Sequence, residues 1–338
     1  MTEFTTGSRL RRARSLAGET LRRYPLIGTA TLLLVMVVFF AFTSPHNRAG
    51  VNVFLTWRNL STILELSAAY SIGAFAMTVV LLSGGIDLSC GAVVALASVV
   101  NGQFLTNLGL PFVISAPIAL AAGVLVGLAN AFLIVEFDLP PFLATLGIAG
   151  VIEGAAYMVS DGKQIYIRDA GFINTFGFGE FLGLPTLVWW TAFFLILTYL
   201  MISRMKFGRR LQAIGGNVVA AANSGVNVRR IKYIAYGFMG LVAAFVALTA
   251  GARVQTASAY NSADYSLTFI VVAILGGTDF FGGGGNVFGV LIGSIVIAVF
   301  SNGLNLLGTD TYLSMVLKGS IIILAIIASV ALTKKRNR

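Results

Sequence analysis

The sequence predicts an all-α polytopic membrane protein of about ten transmembrane helices, several of them broken at Gly or Pro, with both termini cytoplasmic. Three observations lead there. The first is composition: of 338 residues, 57% are hydrophobic and 11% charged, with a mean hydropathy of +0.89, whereas a soluble domain carries about 25% charge. The second is the recurrence of apolar runs near the about 20 residues that a spanning helix needs. The third is where the charge lies. Arg9, Arg11, Arg12, Arg14, Arg22 and Arg23 precede the first run, Arg204, Lys206, Arg209, Arg210, Arg229, Arg230 and Lys232 surround one internal loop, and Lys334, Lys335, Arg336 and Arg338 end the chain. Cytoplasmic loops collect Lys and Arg, so the excess places all three regions inside and demands an even number of spans. Because each cluster abuts an apolar run, nucleic-acid binding is set aside.

The elements follow in order. Residues 1–24 read as a basic cytoplasmic tail and 25–332 as the membrane domain, with a cytoplasmic loop at 204–231 and a second basic tail at 333–338. Span 1 is expected at 25–43; Thr43-Ser44-Pro45 is not a small-residue cleavage site, so the run reads as an uncleaved span. Spans 2 to 5 follow at 59–82, 90–107, 112–135 and 142–160. The longest polar loop covers 161–184, and span 6 covers 185–203. Spans 7 to 10 are expected at 232–251, 265–276, 287–307 and 312–332. Span 6 and span 10 then both end inside, as the charges require.

Several chemistries are excluded. One Cys (Cys90) and one His (His46) leave no disulfide and no Cys/His metal cluster. His46 reads as an ordinary interfacial residue and Cys90 as a small packing residue. Gly162-Lys163 is followed by Gln164, so no phosphate-binding loop is present; any ATP used would be hydrolysed by another subunit.

Ser83-Gly84-Gly85-Ile86-Asp87 interrupts the chain after span 2. Gly84 and Gly85 permit unwinding or close helix approach, and Asp87 is a charge at membrane depth, costly unless paired or wet. It reads either as a gate element or as a cap on span 3. Ile274-Leu275-Gly276-Gly277-Thr278-Asp279 echoes this break, and paired breaks in two halves of a transporter mark discontinuous helices along a pathway; the same two readings apply to Asp279, and the direction of the repeat is not readable. Pro140-Pro141 makes another break, after which Phe142 and Thr145 either line a pathway or start a packed helix. Glu65 and Glu153 lie within spans and either line the pathway or bond a neighbouring helix. Gly208 through Gly216-Asn217, then Ala220-Ala221-Ala222-Asn223-Ser224-Gly225, are too rich in small residues and too regular for a mere connector; a short Ala-rich helix bounded by Gly216-Asn217 and Ser224-Gly225 is suited to dock in a partner's groove, against the plainer reading of a solvated loop.

Taken together, Gly84 to Ser89, Pro140 to Gly147, Gly208 to Gly225, Leu275 to Thr278 and Asn302-Gly303-Leu304-Asn305-Leu306-Leu307-Gly308 resemble the ribose-type permeases, the membrane subunits of bacterial sugar importers of the ABC class. The resemblance covers roughly 55–332. It implies a permease subunit, not an enzyme, in the bacterial plasma membrane. It implies a second permease subunit (a like copy or a paralogue), cytoplasmic ATP-binding subunits that hold ATP and Mg, and an extracytoplasmic sugar-binding protein. Gly208, Gly215, Gly216, Asn217, Ala221, Ser224 and Gly225 would meet the ATP-binding subunit. Glu65, Gly84, Gly85, Asp87, Phe142, Thr145, Glu153 and Asp279 would line or gate the pathway. Cys90, Gly282 to Gly285, Asp279-Phe280-Phe281 and the long tail 1–24 depart from the family pattern and make transfer of a particular sugar unsafe. Outside the resemblance, an ion- or proton-coupled secondary carrier and a non-transporting scaffold are the competing classes.

Overall fold

The computed structural model describes residues 25–310 except 48–49 and 261–262, together with 312–317, 319–321, 323 and 327. The tails 1–24 and 333–338, and about half of the span expected at 312–332, lie outside the described residues; within that span, the described residues are helical.

The long helices are α1 (Pro25–Thr43), α2 (Trp57–Leu82), α3 (Cys90–Gly102, extended by a π-turn over Gln103–Asn107), α4 (Phe112–Glu136) and α5 (Pro141–Ser160). The second half holds α7 (Thr186–Tyr199, extended by a π-turn to Arg204), α10 (Val228–Val254), α11 (Ala263–Leu275) and α12 (Val287–Leu306). Among the described residues, seven helices are long and apolar enough to cross a membrane, and two more apolar helices, Gly28–Thr43 and Asp264–Leu275, are shorter. The chain is therefore a multi-pass helical membrane protein.

Local chemistry sets the ends. Thr56 caps α2 by accepting from Asn59 N–H, and Asn286 caps α12 by accepting from Phe288 and Gly289 N–H, which satisfies donors that no preceding turn supplies. Pro141 opens α5, where a missing N–H costs nothing.

The polar loop expected at 161–184 is more than a connector. It holds β1 (Ile165–Tyr166), α6 (Ala170–Ile173, continued by a π-turn over Asn174–Phe178) and the pair β2 (Glu180–Phe181) and β3 (Leu184–Pro185). β1 pairs antiparallel with β4 (Thr256–Ala257), which ties this loop to the end of α10. Phe172 is fully buried, and Phe176 stacks on Trp190 with ring centroids 6.1 Å apart. The basic loop 204–231 folds into α8 (Lys206–Gly216), which departs from expectation, and α9 (Val218–Asn223), the short helix expected between Asn217 and Ser224.

α2 and α10 form the centre, each with 78% of its apolar span inside the protein, whereas α5 has 17% inside. α10 lies along α4. Gly123 and Gly127 allow this contact, since a Cβ on either would run into the backbone carbonyl of Gly240 or Tyr236; two glycines four apart let helix backbones touch in a membrane.

The structure also gives the repeat its direction. α2, break, α3 and α11, break, α12 run the same way: Gly73 meets Phe269, and the Thr78 and Thr278 hydroxyls lie 3.4 Å apart. α1 packs on α12 as α10 packs on α3, and α2 packs on α12 as α11 packs on α3. The two helix–break–helix units are therefore parallel, with α2 beside α11.

Candidate functional site

The first break is stitched by four helices. Gly84 adopts φ +71°, which turns the chain sharply after Leu82. Gly85 has no side chain where the Tyr236 hydroxyl of α10 sits, and that hydroxyl donates to Ile86 O at 3.3 Å. Leu88 N–H donates to Thr145 Oγ1 of α5 at 3.1 Å. The Ser266 hydroxyl of α11 accepts from Gly91 N–H at 2.8 Å and donates to Leu88 O at 2.9 Å. Asp87 is 1% exposed and accepts from Ser89 N–H at 2.8 Å and Ser89 O–H at 2.6 Å; Asn130 Nδ2 of α4 donates to Ser89 Oγ at 2.6 Å. Irregular backbone survives at membrane depth only when protein or water satisfies it, and here side chains do so. Asp87 thus organises the turn into α3, and among the described residues no cation pairs with it. Cys90, the first residue of α3, is buried against Ser266, its Sγ 3.3 Å from Ser266 Oγ.

The second break packs beside the first. Asp279 N–H donates to Gly284 O at 2.9 Å and Gly282 N–H to Asp279 O at 3.2 Å, closing a glycine turn. Gly283 N–H donates to Leu82 O, the last carbonyl of α2, at 3.3 Å. The C-terminal end of α8 enters between them. A Cβ on Gly215 would collide with Leu82 O and lie 2.6 Å from Gly283 N; one on Gly282 would lie 2.9 Å from Gly215 Cα and 3.0 Å from Gly84 N. Gly84, Gly215, Gly282 and Gly283 therefore meet backbone to backbone, so the segment singled out for docking and the two breaks singled out for the pathway form one junction.

α8 and α9 stand on that junction. Leu211 and Ile214 bury one face of α8, and Gly208 lies against Ile202 O. Asn217 caps α9 by accepting from Ala220 N–H at 2.9 Å; Ala221 is buried beneath it, Ser224 Oγ donates to Ala220 O, and Gly225 ends it at φ +79°. Val218 and Val219 are 44% and 68% exposed, and a Cβ on Gly216 would meet nothing within 4 Å. α9 thus offers a small apolar tip. The helical reading of α9 was in the sequence; α8 was missed, although Phe207, Leu211 and Ile214 against Arg209 and Arg210 carry its 3.6-residue period.

The remaining candidates separate. Glu65 Oε2 pairs with Arg253 Nη2 at 3.0 Å, linking α2 to α10 at the end away from the junction. Thr145 is fully buried, whereas Phe142 is 49% exposed. Glu153 is exposed on α5, on a face where Cβ atoms on Gly147, Gly150 and Gly154 would meet nothing. No hydrogen bond or ion pair joins Glu65 to Glu153, and among the described residues no group of three or more His, Cys, Asp and Glu could hold a metal ion.

Paired helix breaks within a multi-pass helical bundle are features of a membrane transport subunit. Residues 59–326 match the family model described as "Branched-chain amino acid transport system / permease component". The chain is 32% identical over 298 residues to the ribose import permease protein of Escherichia coli, covering 87% of this chain and 90% of that one. It is 33% identical over 296 residues to the ribose import permease protein of Bacillus subtilis (87% and 89% covered), and 32% identical over 303 residues to the D-allose transport system permease protein of Escherichia coli (88% and 90%). No solved structure matches the chain. The chain belongs to this family of ABC transporter permeases. It is the membrane-spanning permease subunit of an ABC importer, not the subunit that hydrolyses ATP, and this sets aside the secondary carrier and the scaffold.

Proposed function

We propose that this permease imports a small sugar, a pentose, hexose or related polyol, by alternating access in the bacterial plasma membrane. Two copies, or one copy with a paralogue, enclose the pathway. Cytoplasmic ATP-binding subunits hold ATP and Mg and dock on α8 and α9, and an extracytoplasmic sugar-binding protein delivers the substrate. Each subunit has ten spans with both termini inside. The sugar class rests on the relatives, which are named for ribose, D-allose and fructose.

The observation that carries the mechanism is the glycine junction, where the end of α8 touches the last carbonyl of α2 and the glycine turn after α11. A shift of α8 by its partner displaces both breaks together. The pathway runs along the open face of α5. Glu153 lies twelve residues into α5, about 18 Å along the axis; a carboxylate at that depth is too costly to face lipid, so the face is covered by a second subunit and water. Phe142 stands at the inner end of the same helix.

The test is reconstitution with candidate ATP-binding and sugar-binding partners in lipid nanodiscs, reading ATPase activity across a sugar panel. Stimulation by one liganded binding protein supports the reading and identifies the sugar. Failure of any ATP-binding subunit to associate sinks it.

A further inference from the structure

A groove of about 430 Å³ lies on the outside of the bundle, between α4, α10 and the π-turn that ends α7. Val124, Leu128, Met201, Ile234, Phe238 and Leu241 line it, and Gly237 forms part of its floor. A Cβ on Gly237 would lie 3.4 Å from Leu128 Cδ2, so the missing side chain is what keeps the floor low. The lining is apolar throughout; Arg230 and Tyr233 border one end of it with their carbon atoms, and their polar groups lie just beyond the lining. From Arg230 to Leu241 is eleven residues of helix, about 16 Å, close to half of the about 30 Å hydrocarbon core, the depth of one leaflet.

The charges at that end are unequally used. Glu136 Oε1 accepts from Arg229 at 2.9 Å and from the Tyr233 hydroxyl at 3.0 Å, so Arg229 neutralises it. Arg230 is exposed and has no ion pair among the described residues. A sugar needs many hydrogen-bonding groups, which an apolar groove lacks. A chain of methylenes with an anionic head matches both the lining and the free guanidinium.

We infer that the α4–α10 groove binds one anionic phospholipid of the cytoplasmic leaflet, with an acyl chain along Gly237 and the phosphate on Arg230. The inference goes beyond transport and rests on the cytoplasmic placement of the basic loop. The lipid would wedge the end of α7, from which α8 starts, against α10, making the coupling segment sensitive to the bilayer around it.

The experiment uses the full chain, purified in detergent, stripped of lipid and offered phosphatidylglycerol or phosphatidylcholine with the same acyl chains, with retained lipid counted by native mass spectrometry. Phosphatidylglycerol should be retained in preference. Arg230→Gln, at an exposed site that does not threaten folding, should lower its retention about fivefold and leave phosphatidylcholine unchanged. Gly237→Leu should lower retention of both. Equal retention by the wild type and Arg230→Gln would overturn the site. So would an equal loss from Arg209→Gln, which sits in the same basic loop outside the groove and would reveal a diffuse charge effect. The placement is tested apart, by labelling Val219→Cys in a Cys90→Ala background with a membrane-impermeant thiol reagent; reaction in whole cells would mean that the loop lies outside and that the placement, not the groove, has failed.

Discussion

Gly85 and Tyr236 are a matched pair. The glycine leaves space that the hydroxyl fills, and the hydroxyl satisfies Ile86 O, a carbonyl with no helical partner. Gly85→Ala would place a methyl 2.5 Å from that oxygen, and overpacking of this kind costs about 1–3 kcal/mol. The expected result is a lower melting temperature in detergent, partly restored by Gly85→Ala combined with Tyr236→Phe, which removes the colliding atom. Glu65 and Arg253 are a second pair, with side chains 17% and 22% exposed. Glu65→Gln leaves Arg253 with an uncompensated charge in a largely dry site, at a cost of about 2 kcal/mol after allowing for its partial exposure. Glu65→Gln with Arg253→Gln should melt closer to wild type than either single variant, and additive losses would show that the pair is not coupled.

At the scale of elements, α5 asks for company. Its open face carries Gly147, Gly150 and Gly154 with Glu153 beside them. In a Cys90→Ala background, Gly150→Cys should form a disulfide-linked dimer on mild oxidation in membranes, while Leu125→Cys, exposed on α4, should not; the reverse pattern would move the subunit contact to α4. Much of this level was legible beforehand, because apolar length and Gly or Pro punctuation mark spans directly. The ends of α2, α3, α5 and α12 fall within about two residues of expectation. α8 was not legible because its glycines at 208, 215 and 216 read as breakers; each is there for close approach or for an open surface, which only the neighbours reveal. The aromatic contribution of 161–184 was hidden for a similar reason, since Phe172 and Phe176 sit among Asp, Arg and Gly; Phe172 packs on Phe176, and Phe176 packs on Trp190 and on Phe245 farther along the chain. Glu65 could be flagged from its position in an apolar run, but its partner lies 188 residues away, in a segment expected to be loop and found to be the last turn of α10.

For the whole molecule, the parallel repeat places two similar breaks side by side, and one short helix reaches both. Gly215→Val forces Leu82 O and Gly283 away from α8. It should leave binding of the ATP-binding subunit measurable by co-purification, while sugar-stimulated ATPase and transport fall at least tenfold. Gly216→Val, where a Cβ meets nothing within the subunit, should instead weaken co-purification. If the two variants fail in the same way, the junction and the docking surface are not separate parts.

That the junction is made of peptide groups has a mechanical consequence. Side chains in contact absorb small displacements by shifting rotamers, so a joint built from them has play. Leu82 O, Gly283 N–H and the α-carbons of Gly215 and Gly282 have no rotamers to shift. On the proposed mechanism, motion entering at α8 would therefore arrive at both halves without backlash, and in the same stroke.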